Sequence, residues 1–402
     1  MFKKSATFPR MRPLGRRLPA PPMTDALIEA RLSMPVCKET PEETGTAAIF
    51  EMGRDMARQD AWDELAALIM HHDQARDMTA EGTPLAELLS AGARSDLVMA
   101  LQSIARSGRL SQKHGVLEDL ASFCTDLNDP ALGYGGAVLA ADALMDAGWA
   151  WYEQGVVLHT PKRHLPEFCA MFERAAATIN GFDATQERSS ILAALQAALL
   201  AGNNADKRAV IKAYETLIGL NPDAPGHLRA YGLHLLPQWF GSHGDLELQA
   251  RRCAVQTHRT WGNGGYTWVW LDALALDPAG FAFLDTDFFL DGIDDILARR
   301  SSQHFVNLFA AYLSRFIDVA DGKGPDRAQR KALVKRRAGL VRGRMEELHP
   351  WVWALGPLSN CTTLQMDRTR RATLFEDGHN RAWDAVAHVF ATELKTPSAR
   401  RV

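Results

Sequence analysis

The residues best equipped for chemistry gather in one stretch, His227-Leu-Arg-Ala-Tyr-Gly-Leu-His-Leu-Leu-Pro-Gln-Trp-Phe-Gly241. Two imidazoles, a guanidinium and an indole fall on or beside a short helix that Pro237 stops. Imidazoles on one helix share a metal ion when they stand at i and i+4, on one face and one turn apart. His227 and His234 are two turns apart, about 10 Å along the axis, too far to share an ion. They read as capping and core-edge residues, and the adjacent His71 and His72 point to different sides of their helix. Arg229, His234 and Trp239, joined by Trp268 farther along, are the candidates for touching a partner. An enzyme site here would gather Arg229, His234, Trp239 and His258.

Other patterns fall short of the chemistry they suggest. Asp285-Thr-Asp-Phe-Phe-Leu-Asp-Gly292 starts like a calcium loop, but Phe289 and Leu290 stand where an acid ligand and the turn glycine belong. Asp287 is expected to cap a helix over 288–299 instead. Gly262-Asn-Gly-Gly265 has no following Lys-Ser/Thr and no preceding strand, so it reads as a turn between helices. Ser111, Ser189, Ser190, Ser301 and Ser302 lack the Gly-x-Ser-x-Gly context of a nucleophile elbow. Cys37, Cys124, Cys169, Cys253 and Cys361 are scattered and form no Cys-x-x-Cys pair, against both a disulfide framework and a structural zinc site. No catalytic residue, metal or cofactor is assigned.

Lys323 to Arg344 is strongly basic, with Arg327, Lys331, Lys335, Arg336 and Arg337 as its basic surface. Leu333, Val334, Leu340, Val341, Met345 and Leu348 form the opposite stripe. Such a helix docks on nucleic acid or an anionic surface, or is the solvated face of a capping helix. The second reading is preferred: no aromatics interleave the charges, and the net charge of −3 points to no polyanionic partner for the whole chain.

The elements that must position these residues are helices. Alanine, leucine and arginine are abundant, runs of β-branched residues are scarce, and the apolar spacing has a helical period. The spacing predicts helices over 24–34, 46–58, 61–75, 84–106, 115–125, 130–152, 161–179, 184–201 and 206–220. Beyond the 227–241 stretch it predicts 245–260, 266–276, 288–299, 303–320, 325–348 and 380–394. Residues 41–45 and 349–373 read as irregular. Short connections imply antiparallel neighbours. The domains expected are a basic, proline-rich tail over 1–22, an N-terminal helical region over 23–130, a central helical domain over 131–320 and a basic cap over 321–402. The tail lacks the apolar core of a secretory signal, and Met23 would make a natural start. No apolar run is long enough to span a bilayer, so no membrane insertion is expected and a cytoplasmic location is.

Two resemblances refine this. Tyr214-Glu-Thr-Leu-Ile-Gly-Leu-Asn-Pro222, followed by Gly232, resembles the end of a tetratricopeptide repeat and the start of the next. Trp270 and Pro278 hold the same spacing, and Met52-Gly53 with Trp62 and Leu65 is a weaker echo. In that family the proline stops a helix, the small residue admits the next one closely, and the aromatic fills the wedge. Leu217 and the distance between the two prolines depart from the pattern, so the repeats would be degenerate. The region around 140–260, with Ala147-Gly-Trp-Ala-Trp151 and Leu236-Pro-Gln-Trp-Phe-Gly-Ser242, is similar to a bacterial helical family of unknown function with a Leu-Pro-Arg-Trp-Gly-Gly-Ser turn. The fold implied is an all-α, irregular tetratricopeptide-like solenoid of antiparallel helix pairs. The function implied is a scaffold or adaptor that binds a protein or peptide, with an enzyme or an anionic-surface binder as the alternatives.

Overall fold

A computed structural model describes residues 32–107, 113–157, 161–202, 205–355 and 368–395. These residues are helical throughout, with two isolated β-bridges and no strand. Among them, no helix is long and apolar enough to cross a membrane. The expected 1–22 tail and most of the 24–34 helix lie outside the described residues. The chain forms two compact units, one over 41–241 and one that takes in 32–40 with 242–355 and 368–395. The division thus falls inside the segment 131–320.

The first unit opens with α1 (Pro41–Arg58), α2 (Trp62–Ala75), α3 (Leu85–Ala93), α4 (Ser95–Ser107) and α5 (Lys113–Asp126). It continues with α6 (Gly133–Val157), α7 (Pro161–Ile179), α8 (Ser190–Leu199), α9 (Lys207–Leu220) and α10 (Pro225–His234). The long α6 is its axis and packs against α2, α4 and α8 and, along its length, α7. Its sequence explains this: Val138, Leu139, Ala140, Ala141, Leu144 and Ala147 are all buried, and a helix apolar on several sides must be covered on several sides.

Three departures from the expected elements have one kind of cause. Residues 41–45 are helical: Pro41 sets the first turn, and the buried Glu42 carboxylate accepts from Thr79 Oγ1 at 2.7 Å and Glu81 N at 3.1 Å. The 84–106 helix is broken at Arg94, whose side chain is drawn onto aspartates of α6. Residues 184–188 turn instead of coiling. Asp183 Oδ1 accepts from Thr185 N and Gln186 N, and Arg188 is left-handed at φ 52°. The buried Asp73 then starts α8, accepting from Ser190 N and Ile191 N at 3.0 Å each. In each case a polar side chain decides the outcome: Glu42 secures a helical turn, while Arg94 and Asp183 override the local helical preference.

The second unit contains α11 (His243–Gln256), α12 (His258–Trp261), α13 (Gly264–Leu276), α14 (Thr286–Arg299), α15 (Gln303–Ile317), α16 (Arg327–Gly343), α17 (Pro350–Leu355), α18 (Arg368–Val389) and α19 (Ala391–Lys395). Helix α13 is its centre, in contact with α11, α14 and α15. Asp285 caps α14 through Phe288 N at 3.1 Å, so the cap lies two residues before the expected Asp287. The segment expected to be irregular after His349 contains α17 and the start of α18, which pack on each other.

Trp268 is corrected by this core. It is fully buried, with its ring centroid 5.6 Å from Trp261 and 5.3 Å from each of Phe305 and Phe309. It offers no surface to a partner, because α13 is covered on every side.

Candidate functional site

The first-unit candidates Arg229, His234 and Trp239 sit at the end of α10 and in the turn after it. All three are half-buried. His234 Nδ1 lies 2.8 Å from Tyr214 Oη and 3.1 Å from the Ala230 carbonyl oxygen. Burial lowers the His234 pKa and the Ala230 bond opposes it, which keeps the ring neutral at pH 7. Trp239 stands edge-on to Trp149 at 6.0 Å, and Trp149 is edge-on to Phe168 at 4.9 Å. The turn therefore closes an aromatic run over α6 and α7. His227 has a separate role: its Nε2 meets Glu87 Oε1 at 2.8 Å. His258, the fourth member of the imagined enzyme site, is exposed and belongs to the second unit.

Reading the sequence residue by residue missed a charged cluster on α6. Arg94 Nε donates to Asp146 Oδ2 at 2.5 Å, and its Nη1 lies 3.1 Å from Asp142 Oδ2. Ser90 Oγ donates to the same Asp142 oxygen at 2.7 Å. Burial raises the Asp146 pKa; Arg94 lowers it and Asp142 raises it further. Together with Ser90 these charges form an ion network that ties the corner between α3 and α4 to α6. The only signal in the sequence was two aspartates one turn apart in an otherwise apolar helix.

The first unit also has a cleft of about 310 Å³ walled by α1 to α5. Its floor carries Trp62 and Phe123 edge to face at 5.4 Å, with Ala57 and Leu97 beside them. Its rim is charged. Arg58 grips Asp96 with Nε and Nη2 at 2.6 and 2.9 Å. Arg54 is paired to Glu51, while its buried Nε has no partner among the described residues. Asp119 is exposed on the rim and has no ion pair among the described residues. This arrangement suits a ligand with an apolar body and a cationic end.

The basic helix α16 presents fewer free charges than its composition suggests. Arg327, Lys331 and Lys335 are exposed, and Arg336 is paired with Asp294. Arg337 is not surface: it is 7% exposed, on the stripe of Leu333, Leu340 and Val341 that faces the core. Burial lowers its pKa, its Nη1 reaches Ser314 Oγ at 3.4 Å, and its Nε has no partner among the described residues. A buried, poorly satisfied cation is often replaced without loss by an apolar side chain of similar length. Arg337→Met is therefore expected to leave stability unchanged or raise it by about 1 kcal/mol. Urea unfolding checks this; a loss of more than about 1 kcal/mol would contradict it.

Two groups among the described residues have the donor types and closeness to hold a metal ion. His71, His72 and Asp77 lie at the surface, where His72 Nδ1 is 2.7 Å from Asp77 Oδ2. Cys37, Glu347 and His349 lie in the second unit and are more enclosed. No protein-family model, curated protein or solved structure matches this chain.

Proposed function

We propose that this protein is a helical scaffold of the tetratricopeptide-like kind whose first unit binds a peptide segment in the Trp62–Phe123 cleft. The observation that carries the reading is the exposed Asp119 carboxylate, without an ion pair among the described residues, on the rim of an aromatic-floored cleft. An apolar side chain on Trp62 and Phe123, followed by a lysine or arginine at Asp119, satisfies both features. A cation beside the Trp62 face would gain further attraction. The stacked-pair architecture draws support from α9 and α10: Tyr214 is buried in the wedge between them and stacks on Tyr231 at 4.7 Å. Helix α9 ends at Leu220, just before Pro222.

The test is a displayed peptide library selected on the whole protein and counter-selected on a Trp62→Ala, Asp119→Lys variant. The expected winners pair an apolar or aromatic residue with a neighbouring basic one. Their affinity is expected to fall at least about tenfold on the variant, the loss of roughly 1.4 kcal/mol. Winners without that pairing, or with equal affinity for both proteins, would overturn the reading.

A further inference from the structure

We infer that Cys37, Glu347 and His349 form a binding site for a divalent transition-metal ion of the zinc type. The inference concerns the second unit and is independent of the cleft. Cys37 Sγ, a carboxylate oxygen of Glu347 and a ring nitrogen of His349 all lie within 4.8 Å of one another. In a tetrahedral site with bonds of about 2.0–2.3 Å, ligand atoms stand roughly 3.5 Å apart. Small side-chain rotations bring the three atoms to that spacing. The set of one thiolate, one imidazole and one carboxylate matches zinc's borderline character and does not suit magnesium or calcium, which prefer all-oxygen shells. Three protein ligands leave a fourth position for water.

The backbone that carries these residues is held in place from both sides. Val36 and Leu348 form a parallel bridge, in which Cys37 N donates to the Leu348 carbonyl at 2.8 Å and Leu348 N to the Pro35 carbonyl at 2.9 Å. On the other side, the buried Asn307 accepts from His349 N at 3.1 Å and donates to the Glu347 carbonyl at 2.9 Å. Thus the cysteine and the Glu-x-His pair, far apart in the sequence, are fixed by main-chain bonds and not by the ligand contacts themselves. A site supported in this way holds its geometry before the ion arrives.

A second observation points to a ligand. The His349 side chain is 4% exposed. Its Nε2 meets Glu347 Oε1 at 2.9 Å, and its Nδ1 is buried with no partner among the described residues. Two of the three ligand groups are therefore already in contact, and an ion shared between them would take the place of that hydrogen bond.

The experiment uses the whole protein, stripped with a chelator and titrated with cobalt(II) as the spectroscopic probe. The expected result is one ion per chain, with intense visible bands of tetrahedral cobalt and a near-ultraviolet thiolate-to-cobalt absorption. Zinc should then displace the cobalt. Cys37→Ser should abolish the thiolate absorption, and Glu347→Gln or His349→Gln should weaken binding at least about tenfold. Cys124→Ala, which alters a thiol in the other unit, should change nothing. Absence of the thiolate absorption in the wild type, or its survival in Cys37→Ser, would overturn the inference. If a variant fails to fold, the wild type still decides the matter. Zinc should protect Cys37 from alkylation as read by peptide mass spectrometry, and equal alkylation with and without zinc would overturn the inference as surely.

Discussion

Asp73→Ala is expected to destabilise the first unit by about 3–5 kcal/mol, the loss typical of breaking a buried charged network. Asp73 is 3% exposed and is the common acceptor for two elements. Its Oδ1 takes Ser190 N, Ile191 N and Ser190 Oγ at 3.0, 3.0 and 2.8 Å, and its Oδ2 takes Tyr134 Oη at 3.1 Å. Alanine would leave these donors buried without an acceptor, each at about 1–3 kcal/mol before any relaxation. It would also remove the charge that favours the positive end of α8. Asp73→Asn keeps one acceptor oxygen for the α8 amides and is expected to lose less than half as much. Urea unfolding followed by circular dichroism measures both. An alanine variant within about 1 kcal/mol of wild type would show that water replaces the carboxylate there.

Trp268→Ala should cost the second unit about 3–5 kcal/mol, the range for truncating a buried aromatic. The ring has no exposed surface and is met by three other aromatic rings, so its removal opens a cavity in the centre of that unit. Trp268→Phe retains most of the ring, and its expected cost is under about 2 kcal/mol. The indole Nε1 has no partner among the described residues, so no hydrogen bond is lost with it. The pair of variants separates core from surface: a partner-contacting tryptophan would lose binding in both and stability in neither. Thermal and urea unfolding of the two proteins decide between these outcomes.

The Trp268 result shows what kind of information the sequence lacked. On α13 the run from Gly264 to Leu274 is buried at every position. A helix apolar on all sides has no periodicity to say which side is outermost. Trp239, by contrast, sits in a turn after a proline-stopped helix, and it is indeed only half-buried. Arg337 failed in the other direction. A charge in a basic run reads as solvated, yet Arg337 occupies the stripe of Leu333, Leu340 and Val341 on α16. Arg337 stands four residues after Leu333 and three before Leu340, so helical spacing puts it on the buried stripe, while its residue type suggests the surface.

Local signals did settle most helix boundaries. Asp206 caps α9 through Ala209 N, and Asp326 caps α16 with Gln329 in a capping box. Pro225 opens α10, as a proline in the first turn should. These signals work because donor and acceptor are three or four residues apart, and the chain brings them together whatever the rest of the fold does. The cleft was partly legible: Trp62 was placed on its helix, but Phe123 and Asp119 were not connected to it. Their meeting depends on how α5 packs beside α4 and α6.

The sequence by itself determined that this chain is helical, where most helices start and stop, and that Tyr214 and Pro222 frame a joint between two of them. All of this follows from contacts within a few turns of one helix. Only the tertiary structure decided where the chain divides, which face of a uniformly apolar helix is inside, and which polar groups share a site. Asp73 with Ser190, Arg94 with Asp142 and Asp146, and Cys37 with Glu347 and His349 are each joined across long stretches of chain. The reason is physical: a buried polar group must find its partner wherever packing delivers one, and spacing along the chain carries no record of that choice.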